Sequence, residues 1–325
     1  MTTSSFSRQT LRARTPQPEG PAADAEPQAP HVETLRAVAP APAAGALEER
    51  PIGDLISELR RLDARQIELI LQHQRQHGVR FGEAAIALQL ASRDDVLWAL
   101  SQQFHYPYAA EGDLTQLSDE LVTAGDPFGE AAEVFRDVRS QLLMGVLAVD
   151  QPRRALAVLS PDIGDGKTFF AANLAVAFSQ LGERTLLVDA DMRTPRQHQL
   201  FGVGPGAGLS NILAGRAASD VAVPIPALPG LYLLSAGTLP PNPLELMQRA
   251  NFGFLLQDLL SRYDHVVVDT PAAMHGADSR VLAARCGAGL VLGRRNRTRM
   301  DALQSLVTQV GRAHAKLAGV MLNDH

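Results

Sequence analysis

The sequence has little cysteine, no long apolar run and no excess of positive charge. Its single cysteine, Cys286, excludes an internal disulfide and favours a reducing, cytoplasmic compartment. No apolar run is long enough to span a bilayer, and no apolar segment follows the arginines between Met1 and Arg14, so we expect neither a membrane span nor a secretory signal. The formal net charge of −5 argues against a nucleic-acid partner bound through bulk positive charge.

The 325 residues are sufficient for more than one domain, and their composition changes along the chain. Residues 1–48 are rich in Ala, Pro, Ser and Thr, which predicts a disordered tail. Helical patterns follow over residues 49–110, and residues 111–132 contain Gly125-Asp126-Pro127 without clear periodicity, which predicts a linker. A helix is expected at Glu133–Leu143, where a second domain, residues 133–325, begins.

The first helical region contains a repeat, because Gly53 and Gly82 open two similar units that are offset by 29 residues (82 − 53 = 29). Apolar positions with helical spacing recur one unit later: Ile67, Ile70 and Leu71 as Val96, Ala99 and Leu100. Asp63 and Ser92 stand where the second helix of each unit needs an N-cap. We therefore predict a small all-α bundle of two helical hairpins.

From residue 155 onward, short apolar runs alternate with helical patterns, which predicts an α/β fold with a mostly parallel sheet flanked by helices. The near-continuous apolar character of the runs is typical of strands buried on both faces. The candidate strands are Ala155–Leu159, Thr185–Val188, Leu231–Leu234, His265–Val268, Gly289–Leu292 and Lys316–Leu322.

The first of these strands is followed by a phosphate-binding loop and then by a helical pattern. The loop reads Ser160-Pro161-Asp162-Ile163-Gly164-Asp165-Gly166-Lys167-Thr168, a P-loop in which Pro161 replaces the usual first glycine. The two glycines let backbone N–H groups point at phosphate oxygens, and the following helix adds its positive N-terminus. Lys167 supplies a cation for the phosphates, and Thr168 supplies a hydroxyl ligand for magnesium. The sequence therefore predicts a nucleoside triphosphate site.

Carboxylates follow two later strands. Asp189 and Asp191, spaced by two residues at the end of a strand, point the same way and need a cation to offset their repulsion. Asp269 ends the apolar strand Val266-Val267-Val268, which is the pattern of a Walker B aspartate that holds magnesium directly or through water. These residues predict a magnesium–nucleotide complex at the sheet edge.

The order P-loop, Asp-x-Asp-x-Arg and Walker B resembles the bacterial tyrosine kinases of exopolysaccharide and capsule synthesis over about Glu133 to Asp324. Four further stretches resemble the same family: Arg193-Thr194-Pro195, Leu200-Phe201-Gly202, Gly208–Gly215 and Ala236–Leu246. The resemblance implies a Mg²⁺- and ATP-dependent protein tyrosine kinase that regulates exopolysaccharide chain length and export. It also implies a membrane chain-length-determinant protein as partner, which would hold the chain at the inner membrane.

The resemblance assigns roles by position. The nucleotide contacts would be Ile163, Gly164, Asp165, Gly166, Lys167, Thr168 and Phe169. The groups on the metal side would be Thr168, Asp191 and Asp269. The catalytic residues would be Lys167, Asp189 and Asp191, with Asp189 accepting the tyrosine proton. Glu133, Arg136 and Arg139 match a motif for ring-like self-assembly, which predicts a homo-oligomer. Arg294, Arg295, Arg297 and Arg299 follow a strand at the nucleotide edge, where a nucleotide or partner contact and a solvated loop are equally compatible with the pattern.

Other functions stay open. The family's usual substrate is a C-terminal tyrosine cluster, whereas the tyrosines here are Tyr106, Tyr108, Tyr232 and Tyr263, so the substrate tyrosine is expected in another protein, or the activity is ATP hydrolysis that switches assembly. The alternatives are a positioning ATPase of the MinD/ParA type and a non-catalytic, nucleotide-gated adaptor for the membrane partner.

The bundle resembles the N-terminal domain of type II secretion and pilus ATPases, whose paired motif can bind cyclic di-GMP. Arg80-Phe81-Gly82 nearly matches the opening of that motif, but the first unit has Pro51-Ile52-Gly53, and Arg60 and Gln89 replace a mid-motif glycine. These departures favour a structural or docking bundle over cyclic di-GMP binding.

Overall fold

The computed structural model describes residues 50–103, 106, 108 and 111–324. The predicted tail over residues 1–48 lies outside this described part of the chain. Among the described helices, none combines the length and apolarity that a membrane crossing requires.

Residues 50–103 form four helices, as the repeat predicts. They are α1 (Ile52–Arg60), α2 (Ala64–His77), α3 (Phe81–Ala87) and α4 (Arg93–Gln103). Asp63 caps α2 through a capping box with Gln66, in which each side chain accepts the other residue's backbone N–H at 2.7 and 2.9 Å. The helices enclose a small core of their own, in which Ile56 and Ile70 are fully buried. Helix capping and the spacing of apolar residues thus explain why residues 50–103 fold into four helices.

An ion pair joins the first and last helices of the bundle. Arg60 Nε donates to Asp95 Oδ2 at 2.6 Å, and the same oxygen accepts the backbone N–H of Ser92 at 2.5 Å. Burial acts to raise the pKa of Asp95, but the hydrogen bonds from Arg60 and Ser92 outweigh it and hold that pKa below its ordinary value. Arg60, which stands where the related motif has glycine, therefore has a structural contact.

The remaining described residues form a sheet with helices on both faces. The strands are β1 (Ala155–Leu159), β2 (Thr185–Asp189), β3 (Val223–Pro224), β4 (Leu231–Leu234), β5 (His265–Asp269), β6 (Gly287–Arg294) and β7 (Lys316–Asn323). The helices are α5 (Val122–Gly125), α6 (Glu130–Met144), α7 (Lys167–Ser179), α8 (Gln197–Leu200), α9 (Leu209–Leu213), α10 (Pro243–Gln248), α11 (Ala250–Arg262), α12 (Asp278–Cys286) and α13 (Met300–Arg312), with 3₁₀ turns at Glu111–Gln116 and Ala273–His275.

The strand order is β3-β4-β2-β5-β1-β6-β7, and every pairing is parallel except that of β3 with β4. Successive residues of β5 alternate between two cores, since Val266 and Val268 contact one and Val267 the other. Helices α6 and α7 supply one core, and α11, α12 and α13 supply the other. The predicted parallel sheet flanked by helices is confirmed, and each predicted strand is present.

Three details differ from expectation. Strand β3 has two residues and no apolar run, so its sequence carries no strand signal. The expected linker over residues 111–132 contains α5 and packs on α7: Asn173 Oδ1 accepts the N–H of Thr123 at 2.9 Å, and its amide donates to the carbonyl of Glu120 at 2.9 Å. Helix α6 also begins at Glu130, three residues before the expected start. The domain boundaries themselves stay a prediction.

Candidate functional site

The P-loop connects β1 to α7, and two glycines determine its shape. Gly164 and Gly166 have φ values of +81° and +96°, in the left-handed region that L side chains rarely adopt. A Cβ at Gly166 would also lie 2.3 Å from Asn323 Nδ2. Because Lys167 opens α7, the loop leads directly into a helix N-terminus, where free N–H groups favour an anion.

Lys167 is almost fully buried behind this loop. Its Nζ donates to Ser160 Oγ at 3.0 Å and lies 3.5 Å from the carbonyl of Asp162. Burial lowers the pKa of Lys167, while the negative charges of Asp269 and Asp191 act to raise it. The ammonium group is thus held inside the loop that is expected to bind the phosphates.

The strand-end carboxylates meet at the same edge of the sheet. Asp189 and Asp269 are paired in register on neighbouring parallel strands, and both are fully buried. Asp189 accepts three backbone N–H groups, from Asp191 at 3.2 Å, Arg196 at 3.2 Å and Gln197 at 3.1 Å. The loop after β2 therefore closes around the Asp189 carboxylate.

Asp191 lies further out and is 6% exposed. One carboxylate oxygen accepts the N–H groups of Arg193 and Thr194 at 3.0 and 2.9 Å, and the other accepts the Thr194 hydroxyl at 3.0 Å. These bonds orient the Asp191 side chain, and Asp191 lines the cavity beside the P-loop.

Burial raises the pKa of both strand-end carboxyls. For Asp269 it does so to about 6, against the charge of Lys167 and hydrogen bonds from Gln197 and Thr168. The pKa of Asp189 lies well above its ordinary value because of burial and the nearby negative charge of Asp269. Both carboxyl groups are therefore costly to ionise in the chain alone, and an added cation would favour their charged forms.

Sequence reasoning missed Gln197, which is fully buried at the start of α8. Its amide donates to Asp269 Oδ2 at 2.9 Å and to the carbonyl of Thr168 at 3.1 Å. The other Asp269 oxygen, Oδ1, is buried and has no hydrogen-bond partner in the described part of the chain. No local pattern marks Gln197, because its partners lie 29 and 72 residues away.

A cavity of about 890 Å³ opens beside the P-loop. Its lining includes most of the predicted nucleotide and metal residues: Ile163, Gly164, Gly166, Lys167, Thr168, Phe169 and Asp191. Asp165, Asp189 and Asp269 are fully buried behind that surface. Apolar side chains complete the lining, among them Val134 and Phe135 of α6 and Met321 of β7. The cavity is large enough for a nucleotide and lies at the carboxyl ends of the strands, where ligands of such sheets bind.

The basic segment after β6 divides into two pairs. Arg294 Nη1 donates to the Gly164 carbonyl at 3.2 Å, and the Arg297 guanidinium lies beside Gly164. Arg295 and Arg299 form ion pairs with Asp324 at 3.4 Å and Asp301 at 2.7 Å. Two of the four arginines thus contact the P-loop, and two pair with nearby carboxylates.

The three residues predicted for self-assembly lie on α6. Arg136 pairs with Glu133 and donates to the Pro127 carbonyl at 2.5 Å. Arg139 donates to the carbonyl of Ala177 on α7. Both guanidinium groups therefore contact their own chain, whereas the Glu133 side chain is 70% exposed.

Comparison with known proteins agrees with this geometry. Residues 156–325 match the CobQ/CobB/MinD/ParA nucleotide binding domain. That match covers more than half of the chain, which therefore belongs to this class of P-loop nucleotide-binding proteins.

Its relatives within that class are tyrosine kinases. The chain is 33% identical over 204 residues to the tyrosine-protein kinase Wzc of Salmonella typhimurium, covering 63% of this chain but 28% of Wzc. It is 30% identical over 200 residues to CapB, a proposed tyrosine-protein kinase of Staphylococcus aureus, covering 61% of this chain and 86% of CapB. The kinase domain of the Escherichia coli tyrosine kinase ETK superposes with a TM-score of 0.60 at 26% identity, covering 67% of this chain and 87% of that domain. The chain belongs to the bacterial tyrosine-protein kinase family.

Proposed function

We propose that this protein is a magnesium- and ATP-dependent protein tyrosine kinase that regulates exopolysaccharide chain length and export. The observation that carries the proposal is the convergence of Lys167, Thr168, Asp191 and Asp269 at one edge of the sheet, around a nucleotide-sized cavity. Family membership supports the reaction class. Because the chain spans about a quarter of Wzc, the activity, substrate and partners of the whole relative remain proposals for this chain.

The donor set fits a magnesium ion bound with the nucleotide. Oxygen donors suit this hard cation, and the orphaned Asp269 Oδ1 is an acceptor that a metal-bound water would satisfy. Within the described residues no group of three His, Cys, Asp or Glu side chains forms a metal cluster, so phosphate oxygens and water would complete the shell. Thr168, Asp191 and Asp269 would hold the ion, which supplies positive charge to offset the phosphate oxygens.

The chain's own residues position the phosphates and offset their negative charge. The loop Ile163–Phe169 presents N–H groups to the phosphates, and Lys167 offsets their charge from inside the loop. Asp189 is proposed to accept the tyrosine proton, because burial raises its pKa and a more basic carboxylate is a better proton acceptor. Since Asp189 is fully buried beneath three backbone N–H groups, this role requires the loop after β2 to rearrange when the substrate binds.

The proposed partner is a membrane chain-length-determinant protein, which would hold a cytoplasmic kinase at the inner membrane. The proposed assembly is a homo-oligomer through α6. The bundle is proposed as a docking unit rather than a cyclic di-GMP receptor, because Arg60 is engaged with Asp95. Calorimetry of the full chain with cyclic di-GMP should show no binding heat, and saturable binding would reverse this assignment.

A labelling experiment tests the kinase activity. The full chain is incubated with γ-labelled ATP and magnesium, with and without the cytoplasmic segment of a chain-length-determinant protein. We expect label on tyrosine that is lost in Lys167→Ala and retained in Lys316→Ala, a matched change at an exposed lysine. Free phosphate without labelled protein would instead indicate a MinD/ParA-type ATPase. Nucleotide binding with neither product would indicate a nucleotide-gated adaptor.

A further inference from the structure

A threonine outside the recognised motifs, Thr298 in the turn after β6, is hydrogen-bonded to the P-loop. Residues 295–298 turn back after β6, with Asn296 in the left-handed region at φ 59°. The Thr298 N–H donates to the carbonyl of Arg294 at 2.9 Å, and the Thr298 hydroxyl oxygen accepts the Arg294 N–H at 2.7 Å. Because that oxygen is already an acceptor, its own proton is free to be donated elsewhere.

The Thr298 hydroxyl donates to Asp165 Oδ1 at 2.7 Å, across 133 residues of sequence. Asp165 is fully buried, and its second oxygen accepts the N–H of Asp162 at 3.0 Å. A buried carboxylate is costly unless its oxygens are hydrogen-bonded, so each donor constrains where Asp165 can lie. The carboxylate thus ties the near side of the P-loop to the turn after β6.

Two further contacts fix the backbone on either side of that carboxylate. Asn323 Nδ2 donates to the Asp165 carbonyl at 3.2 Å, and Arg294 Nη1 donates to the Gly164 carbonyl at 3.2 Å. These two bonds orient the Gly164 and Asp165 carbonyls toward protein donors. The loop has Pro161 where the usual pattern has glycine, and side chains from two segments hold its conformation: the end of β6 with the turn after it, and the end of β7.

We propose that Thr298 is a positioning residue of the nucleotide site: through Asp165 it holds the P-loop in its phosphate-binding conformation. The inference rests on nucleotide binding by this loop, and it does not depend on tyrosine being the acceptor. Thr298 is not among the residues that line the cavity, so its loss should weaken nucleotide binding and leave the reaction of bound nucleotide nearly unchanged.

The test is equilibrium binding of a fluorescent ATP analogue with magnesium to the full chain, for Thr298→Val and Thr298→Ser. Removing one hydrogen bond to a charged group predicts about tenfold weaker binding for valine. Serine, which keeps the hydroxyl, should bind within about threefold of the parent chain. Thr308→Val is the matched control, because Thr308 is exposed and its hydroxyl donates to the carbonyl of Gln304 in the same helix, α13. In turnover assays KM should rise for Thr298→Val while kcat stays within about twofold.

A double-mutant cycle keeps the test decisive if valine also lowers the thermal midpoint. In an Asp165→Asn background, Thr298→Ala should add little further loss of affinity, because the two residues act through one contact. Additive losses, or a serine variant as weak as valine, would overturn the proposal. If every variant binds nucleotide as expected but no tyrosine is labelled, the kinase proposal fails while the positioning role stands.

Discussion

At the scale of single residues, Asp189 and Asp191 differ although they are two positions apart. Asp189 is fully buried and accepts three backbone N–H groups, whereas Asp191 reaches the cavity. The sequence could predict that both lie at the strand end, since strand periodicity places them on one side. It could not predict which one faces the ligand, because the loop that covers Asp189 is shaped by tertiary contacts.

Replacement of Asp191 by asparagine should weaken magnesium-dependent nucleotide binding by roughly tenfold or more, because a contact to a cation loses its charge. The difference in affinity between Asp191→Asn and the parent chain should vanish when binding is measured in EDTA. Asp137→Asn on the exposed face of α6 serves as the control and should bind as the parent chain does. An Asp191→Asn variant with equal weakening in EDTA and in magnesium would contradict a metal-side role.

The raised pKa of Asp269 predicts a pH dependence of stability in the chain without nucleotide or metal. Its pKa is about 6 in the fold and 3.8 in the reference state, so the stabilisation from its protonated form is complete below 3.8 and is lost as pH rises through about 6. Urea unfolding in EDTA should show the parent chain losing stability relative to Asp269→Asn as the pH rises from about 4 to about 6. If the free energies of unfolding of the two proteins change with pH in parallel, burial does not raise the pKa of Asp269.

At the scale of elements, the segment that contains α5 shows where sequence reasoning stopped. Its apolar residues Leu121 and Ala124 are buried against α7, but the run is too short to show periodicity. The contacts that fix it come from Asn173 and Gln180, about fifty residues later. Continuous apolar runs such as β1, and the longer apolar helix α7, were predictable from sequence. Short elements that depend on distant donors were not.

Asn173→Ala should therefore release this segment. The change leaves the N–H of Thr123 and the carbonyl of Glu120 without their buried partner, at a cost of about 1–3 kcal/mol. Hydrogen exchange of residues 117–126 should accelerate, and the urea midpoint should fall. Gln141→Ala, which removes only an exposed contact to Asp137, should leave the exchange rate and the urea midpoint unchanged. Faster exchange of residues 117–126 in Gln141→Ala as well would contradict a specific role for Asn173.

At the scale of the whole molecule, α6 contributes to two functions that were first predicted separately. Its buried side packs against α7 and lines the nucleotide cavity, while its exposed side is proposed for self-assembly. The sequence motif treats Glu133, Arg136 and Arg139 as one unit. The structure gives them different surroundings: the two arginines also contact Pro127 and Ala177 of their own chain, whereas the Glu133 side chain is exposed.

This difference in surroundings changes the expected mutational pattern. Glu133→Lys should lower the oligomer mass in light scattering without shifting the thermal midpoint, because its side chain is exposed. Arg139→Ala should lower the midpoint, because it removes a part-buried hydrogen bond to α7. An unchanged mass for both Glu133→Lys and the paired Arg136→Ala, Arg139→Ala variant would remove α6 from the assembly interface.

The burial of Lys167 also has a chemical consequence, because the chain contains two lysines, Lys167 and Lys316. An amine-selective acylating reagent would find Lys316 at the surface and Lys167 enclosed by the loop around Ser160. The stoichiometry of acylation at Lys167, read by mass spectrometry against Lys316 as an internal standard, would therefore report directly on how often this loop opens, without any label or substitution in the protein.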